Sequence, residues 1–377
     1  MTRPASPQSS RSAPSVQLSQ AWLRRGPLAL ALWPLSWVYG LLWRVRTVLY
    51  RMGLLSSHKL PVPVVVVGNV VVGGAGKTPT VIALVKHLQA HGLHPGVVSR
   101  GHGRQGSAVL EVTPHTPSLQ SGDEPALIAR HTGVPVFVSP QRVAAAQALL
   151  AQHPTVNILV SDDGMQHWAL QRDITLVVFD ERGTGNGWLL PAGLLREPWP
   201  AKSWGPGHML VLQYGRSAQA IAPAGAGSSR PLVFEGHKLL APYAIDATGT
   251  QHALPQALAA PALVGAVAGI AQPQRFFSML QAQGVSLHTT LALPDHAPAA
   301  ALHQALQAAQ QQHPQITHWL CTEKDAVKLW ETPRPANAPV IWAIPLVAQL
   351  PPELWSHLDS TLDPVLSSAR LRTHLST

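Results

Sequence analysis

The chain has 377 residues, enough for about two domains at roughly 150 residues each. With 46% hydrophobic and 12% charged residues it is a globular, somewhat greasy protein, which excludes a largely disordered chain. Cys321 is the only cysteine, so a disulfide scaffold is excluded, and the net charge of +9 sits unevenly, with 12 Lys and Arg preceding the first acid, Glu111.

Residues 1–18 are rich in Ser, Pro and Gln and read as a disordered tail. Residues 19–55 read as a membrane-associated helix. The apolar stretch from Pro27 to Trp43 is 17 residues long, at the lower limit for a bilayer span, and contains Pro34. Arg24, Arg25, Arg44 and Arg46 flank it, and Trp22, Trp33, Trp37, Tyr39 and Trp43 crowd into it. Aromatic residues with arginines favour the headgroup region, so an interfacial helix is preferred over a full span, a cleaved signal peptide or a soluble core helix. The basic N-terminal third suits an anionic membrane better than nucleic acid, because its charge brackets an apolar segment and forms no interleaved basic face.

The run Val64-Val65-Val66-Val67 reads as a strand buried on both faces. A glycine-rich loop follows, from Gly68-Asn69 to Thr78-Pro79, and then a helical segment from Thr80 to Leu88. Strand, loop and helix in this order form a phosphate-binding site: Gly73, Gly74, Ala75 and Gly76 turn backbone N–H groups inward, Lys77 reaches the β- and γ-phosphates of ATP, and Thr78 offers its hydroxyl to Mg²⁺. The usual first glycine of this motif is replaced by Val71. Further strands are expected at Pro95–Arg100, Val134–Val138, Asn157–Ser161 and Ile174–Phe179, with helices after Gly122 and at Arg142–Ala151 between them. This alternation predicts a mostly parallel sheet covered on both faces. Gly215–Ser229 reads as a loop, Leu232–Ala247 as short strands, and a second α/β pattern begins at Pro261.

Asp162 and Asp163 follow an apolar strand, as the Mg²⁺-holding acid of a phosphate-loop enzyme does. Asp123 stands before a helix, where a cap and a functional acid are both open. A lone Asp295-His296 pair is weak by itself; brought to Asp123 by domain closure, His296 forms a base with it for a substrate hydroxyl. In Thr322-Glu323-Lys324-Asp325 the Lys and Asp are adjacent, which is the wrong register for guanine reading and favours ATP over GTP. The 19 histidines are scattered, with no pair at metal-ligand spacing beside partners, and read as surface or packing residues.

These stretches, taken together, resemble the tetraacyldisaccharide 4′-kinase family, the lipid A kinases of Gram-negative bacteria. The matching motifs are the phosphate loop, Ser99-Arg-Gly-His-Gly-Arg104, Gly122-Asp-Glu-Pro125, Asp162-Asp-Gly-Met-Gln-His167, Leu190-Pro-Ala-Gly-Leu-Leu-Arg-Glu-Pro198, Gly265–Pro273 with Arg275-Phe276-Phe277, Pro294-Asp-His296 and Thr322–Asp325. The resemblance implies an α/β fold: a three-layer α/β/α phosphate-loop kinase core, a second smaller α/β domain, a two-stranded linker and an N-terminal membrane-associated helix. It implies a phosphate-loop domain over 56–230, linker strands over 231–260, the smaller domain over 261–360 and a tail over 361–377. It also implies transfer of the ATP γ-phosphate to the 4′-hydroxyl of a tetraacyldisaccharide 1-phosphate on the cytoplasmic face of the inner membrane. Carried over by motif, Lys77 and Thr78 are phosphate and Mg²⁺ ligands, Asp162 and Asp163 the metal-side acids, Asp123 the base and His296 its tuning partner. Arg100, Gln166, His167 and Glu197 occupy motif positions without a fixed role. The chain departs from the family with His102 for Tyr, Met165 for Phe, Leu194 for Pro and Ala297 for His. The rival function is a membrane-bound nucleotide switch, which needs no base for a sugar hydroxyl.

Overall fold

Successive valines in Val64–Val67 belong to two different apolar layers, and the domain is built outward from that alternation. The structure, a computed structural model, describes residues 21–114, 116–200, 208–215, 221, 232–254, 263–332 and 338–375. The tail at 1–18 and most of the loop at Gly215–Ser229 lie outside the described residues.

Helix α1 (Pro27–Arg51) precedes strand β1 (Val64–Gly68), and the phosphate loop then opens α2 (Lys77–Ala90). Next come β2 (Pro95–Ser99), β3 (Leu110–Val112), α3 (Asp123–Thr132), β4 (Val136–Val138) and α4 (Arg142–Gln152). Strands β5 (Ile158–Asp162), β6 (Ile174–Phe179), β7 (His208–Tyr214) and β8 (Leu232–Leu240) complete the outward run. The smaller unit holds β9 (Tyr243–Ile245), β10 (Gln251–Ala253), β11 (Val264–Ala268), α5 (Pro273–Ala282), β12 (Leu287–Ala292) and α6 (Ala299–Gln312). It continues with β13 (His318–Thr322), α7 (Glu323–Trp330) and β14 (Val340–Ile344). Strand β15 (Leu346–Gln349) and helix α8 (Pro352–Leu375) finish the chain.

The larger sheet has nine strands in the order β15-β8-β7-β6-β1-β5-β2-β4-β3, antiparallel only at its two edges. Val65 and Val67 face α2 through Val81, Leu84, Val85 and Leu88, whereas Val64 and Val66 face α4 through Ala145, Ala146 and Leu149. The smaller sheet has six strands, β10-β9-β14-β13-β11-β12, packed between α5 on one face and α6 with α7 on the other. Cys321 is buried within it.

The linker is a ribbon shared by both sheets. β8 and β15 pair antiparallel in the larger sheet, β9 and β14 in the smaller, and Ala241 N–H donates to Pro345 O (2.8 Å) where the two chain crossings meet. The chain therefore returns to the larger sheet at Leu346, ahead of the boundary at 360 read from the sequence. Of 361–377, the described residues to Leu375 continue helix α8, whose Leu354, Leu358 and Leu362 are buried in the core of the larger domain. The apolar stripe at every fourth residue is interrupted to the eye by Pro364, and nothing local in β15 announces its pairing partner.

Helix α1 lies on the larger domain by a mixed face and turns its apolar face outward. Ala29, Ser36 and Thr47 are buried; Ser36 Oγ donates to Leu189 O (2.8 Å), Tyr39 Oη to Arg196 O (2.6 Å) and Arg46 to Gln166 O (2.8 Å). Leu30, Leu35, Trp37, Val38, Leu41 and Leu42 stand exposed on the other side. Arg46 is thus spent inward, its guanidinium also lying 5.1 Å from the Trp168 ring, where the sequence placed it among headgroups.

Candidate active site

The order of the central strands sets the site. β1 lies between β6 and β5, so the loop leaving β1 and the acids ending β5 emerge side by side at the carboxyl edge of the sheet. Gly73 and Gly76 take φ of +97° and +95°, conformations that favour glycine, and a Cβ at Gly76 would lie 3.0 Å from the Tyr214 ring. Val71 is fully buried in a bridge to Leu195, and the turn proper starts after it, which is why a glycine is not needed there. The loop is held from outside: Arg182 donates to Val72 O (3.1 Å) while paired to Asp180 (2.8 Å), and Gln166 Nε2 donates to Asn69 O (3.0 Å) and Glu197 Oε1 (2.8 Å).

Lys77 is buried at the start of α2 and pairs with Asp163 Oδ1 at 3.6 Å. Thr78 is buried beside it. Asp163 adopts φ of +48°, unusual outside glycine, and is fixed there by Arg142 donating to its carbonyl (2.8 Å) and Arg196 to its carboxylate (3.4 Å). Asp162 is fully buried; one carboxylate oxygen accepts from Ser99 Oγ (3.0 Å), and the other has no partner among the described residues. Burial raises the Asp162 carboxyl above its ordinary range, and the charges of Glu124 and Asp163 push the same way. An orphaned buried carboxylate oxygen on Asp162, followed in the chain by a second acid, Asp163, offers oxygen donors of the kind Mg²⁺ takes, and the buried Thr78 hydroxyl beside Lys77 in sequence is of the same donor type.

The second cluster lies between the domains. Asp123 Oδ2 meets Lys328 Nζ at 2.8 Å and His296 Nδ1 at 3.5 Å, and Glu124 Oε1 meets Lys324 Nζ at 2.6 Å. His296 is held in the left-handed region, with φ of +57°, and its ring stands 5.9 Å from that of His102. Burial pushes the Asp123 carboxyl up, but the hydrogen bonds from His296 and Lys328 and the nearby lysine charges outweigh it and leave the group below its usual value. Glu124 is lowered for the same kind of reason, with burial opposed by Lys324 and also by the charge of Lys77, which ties this cluster to the phosphate loop. Asp123 is no cap, since it is already the first residue of α3 and Gly122 takes the cap position.

Of the residues expected from sequence, the structure brings Lys77 to Asp163 and Asp123 to His296, and sets Asp162 and Thr78 close by in sequence to these pairs. Sequence reasoning missed Glu124, Lys324 and Lys328. The Thr322–Asp325 motif contacts the other domain: Glu323 pairs with His131 and Lys324 with Glu124, while Asp325 accepts from Gly269 N (3.0 Å) and Thr322 Oγ1 (2.6 Å) inside its own domain. Its available signal was the i, i+4 spacing of Lys324 and Lys328 on one helix face.

The interdomain pairing carries a pH signature. Its hydrogen bond to Asp123 raises the His296 imidazole above 6.5, against a smaller opposing effect of burial. The contact is therefore fully present below 6.5 and lost as pH rises through the raised value; at the acid end it is lost below 3.8, as Asp123 protonates. Thermal unfolding is expected to show His296→Asn less stable than the parent at about pH 6, with the difference shrinking as pH is taken into the alkaline range through the raised His296 value. A difference that persists unchanged across that range would contradict the pairing.

The family model described as tetraacyldisaccharide-1-P 4′-kinase matches residues 28–363. A tetraacyldisaccharide 4′-kinase of Polaromonas naphthalenivorans (strain CJ2) is 50% identical over 350 residues, covering 93% of this chain and 96% of the relative. Another, from Acidovorax sp. (strain JS42), is 47% identical over 352 residues with the same coverage, 93% and 96%. A crystal structure of LpxK from Aquifex aeolicus in complex with ATP shares the fold, with a TM-score of 0.69 at 24% identity, covering 90% of this chain and 99% of that one. By the length of the family match and the identity to these relatives, the chain belongs to the tetraacyldisaccharide 4′-kinase family, the ATP-dependent kinases of lipid A biosynthesis.

Proposed function

We propose that this chain transfers the γ-phosphate of ATP to the 4′-hydroxyl of a tetraacyldisaccharide 1-phosphate, working at the cytoplasmic face of the inner membrane. The observation that carries the reading is a phosphate loop whose Lys77 and Asp162 lie within electrostatic reach of Glu124, next in the chain to Asp123, an acid held below its usual value. The loop amides and Lys77 bind the phosphates and offset the charge that spreads over the transferring group. Thr78, Asp162 and Asp163 would hold Mg²⁺, which when bound supplies further neutralisation of phosphate charge. Asp123, ionised at neutral pH and with Lys328 and His296 fixing its carboxylate, accepts the hydrogen bond of the sugar hydroxyl and takes its proton as transfer proceeds. A pure nucleotide switch has no use for such an acid.

The exposed apolar face of α1 suits a helix seated in one leaflet, with the acyl chains of the substrate staying in the bilayer while the sugar enters the cleft. Replacing Leu41 and Leu42, 61% and 63% exposed, by Gln removes two large side chains from that seat without touching the protein core. Affinity for anionic vesicles is expected to fall on the order of 10²-fold by flotation. Undiminished flotation would sink the membrane seat.

The function is tested with γ-labelled ATP, Mg²⁺ and tetraacyldisaccharide 1-phosphate in mild detergent. Label entering the lipid supports the kinase. Label released only as inorganic phosphate favours the switch.

A further inference from the structure

Histidines 87 and 91 are four residues apart on α2, so their rings share one face of the helix. No acid lies near them in the chain; the acid they meet is Asp359, on α8. His87 Nε2 lies 2.8 Å from Asp359 Oδ1 and His91 Nε2 lies 3.9 Å from Asp359 Oδ2, and the three ligand atoms all fall within 4.8 Å of one another. A tetrahedral ion with ligands at about 2.1 Å sets neighbouring ligand atoms about 3.4 Å apart, so the observed separations bracket the required one.

The surroundings orient the rings for this. His91 Nδ1 lies 2.8 Å from His87 O, and a carbonyl can only accept, so Nδ1 carries the proton. In the neutral ring this leaves Nε2 without a proton, an acceptor 3.9 Å from the Asp359 carboxylate, itself an acceptor. A cation between them, or a proton on Nε2, resolves that contact. The same bond is the second-sphere anchor that metal-ligating histidines use to fix tautomer and ring angle. His87 is fixed by Trp355, whose ring stacks on it at 4.2 Å with an interplanar angle of 12°.

We infer that His87, His91 and Asp359 form a binding site for a divalent transition-metal ion such as Zn²⁺, clamping α8 onto α2. Two imidazoles and one carboxylate leave a fourth position for water, and the set prefers Zn²⁺ or Co²⁺ over Mg²⁺, which favours oxygen ligands. The site is separate from Thr78, Asp162 and Asp163 and does not depend on the proposed kinase chemistry. Bound metal would tie the C-terminal helix to the helix that begins at Lys77.

The test uses the full chain with Mg²⁺ in excess and Co²⁺ or Zn²⁺ as the probe. Co²⁺ is expected to give the intense visible absorption of a four-coordinate site at one equivalent. His91→Gln and Asp359→Asn, both at partly exposed positions, are each expected to abolish that band and weaken Zn²⁺ binding by at least tenfold in calorimetry. Zn²⁺ should raise the Tm of the parent and leave that of the folded variants unmoved. Absence of the band in the parent, or equal Zn²⁺ binding by parent and variants, would overturn the site and leave a proton on His91 as the resolution of the contact.

Discussion

Lys77→Ala is expected to lower kcat for label transfer into lipid by on the order of 10³-fold, with the fold retained by circular dichroism. In the proposed mechanism the charge lost is the one that follows negative charge onto the transferring phosphoryl. The pair with Asp163, buried only on the lysine side, is lost as well, and Asp162 and Asp163 are left with less compensation than they have now. Asp163 is partly exposed, so water absorbs part of that cost and the protein stays folded. Lys77→Arg should not restore the rate, because a forked guanidinium does not fit where a point charge is packed at the mouth of α2. A kcat within tenfold of the parent would remove Lys77 from the chemistry.

Asp123→Asn is expected to lower kcat by on the order of 10²–10⁴-fold with KM little changed, the pattern of an interaction made in the transition state. The complication is that Asp123 also binds Lys328 across the domain boundary, so a loss could come from a loosened cleft. Lys328→Met separates the two. It removes the same interdomain contact and leaves the carboxylate, so it should retain kcat within about tenfold if Asp123 serves the hydroxyl proton. Equal losses in the two variants would make Asp123 a latch. Steady-state kinetics over a range of lipid concentrations decides this.

What could be read from the residues was whatever is encoded over short distances. The strand of valines, the glycines at the two left-handed positions and the helix after Lys77 specify the phosphate loop within one continuous segment, and the acids ending β5 follow from the same strand-end logic. Charge pairing across the cleft was not legible in the same way. Lys324 and Glu124 are 200 residues apart, and no pattern around either names the other. The Thr322–Asp325 segment resembled a nucleotide-reading motif in composition, but two of its side chains are used to join the domains. Helix α8 and the His87, His91 and Asp359 cluster were hidden for a related reason: each depends on a partner supplied by the other end of the chain. Val71 shows the converse. A departure from the motif became intelligible once its backbone was seen bridged to Leu195, ahead of the turn.

The position of the transferred phosphate separates a 4′-kinase from any other phosphotransferase. The lipid product formed from ATP would be examined by phosphorus–proton correlated NMR. A new phosphorus coupled to the C4′ proton of the distal glucosamine is the predicted result. Phosphorus attached to any other hydroxyl, or added only to the existing 1-phosphate, would contradict a cleft built to present the 4′-hydroxyl to Asp123 and the phosphate loop.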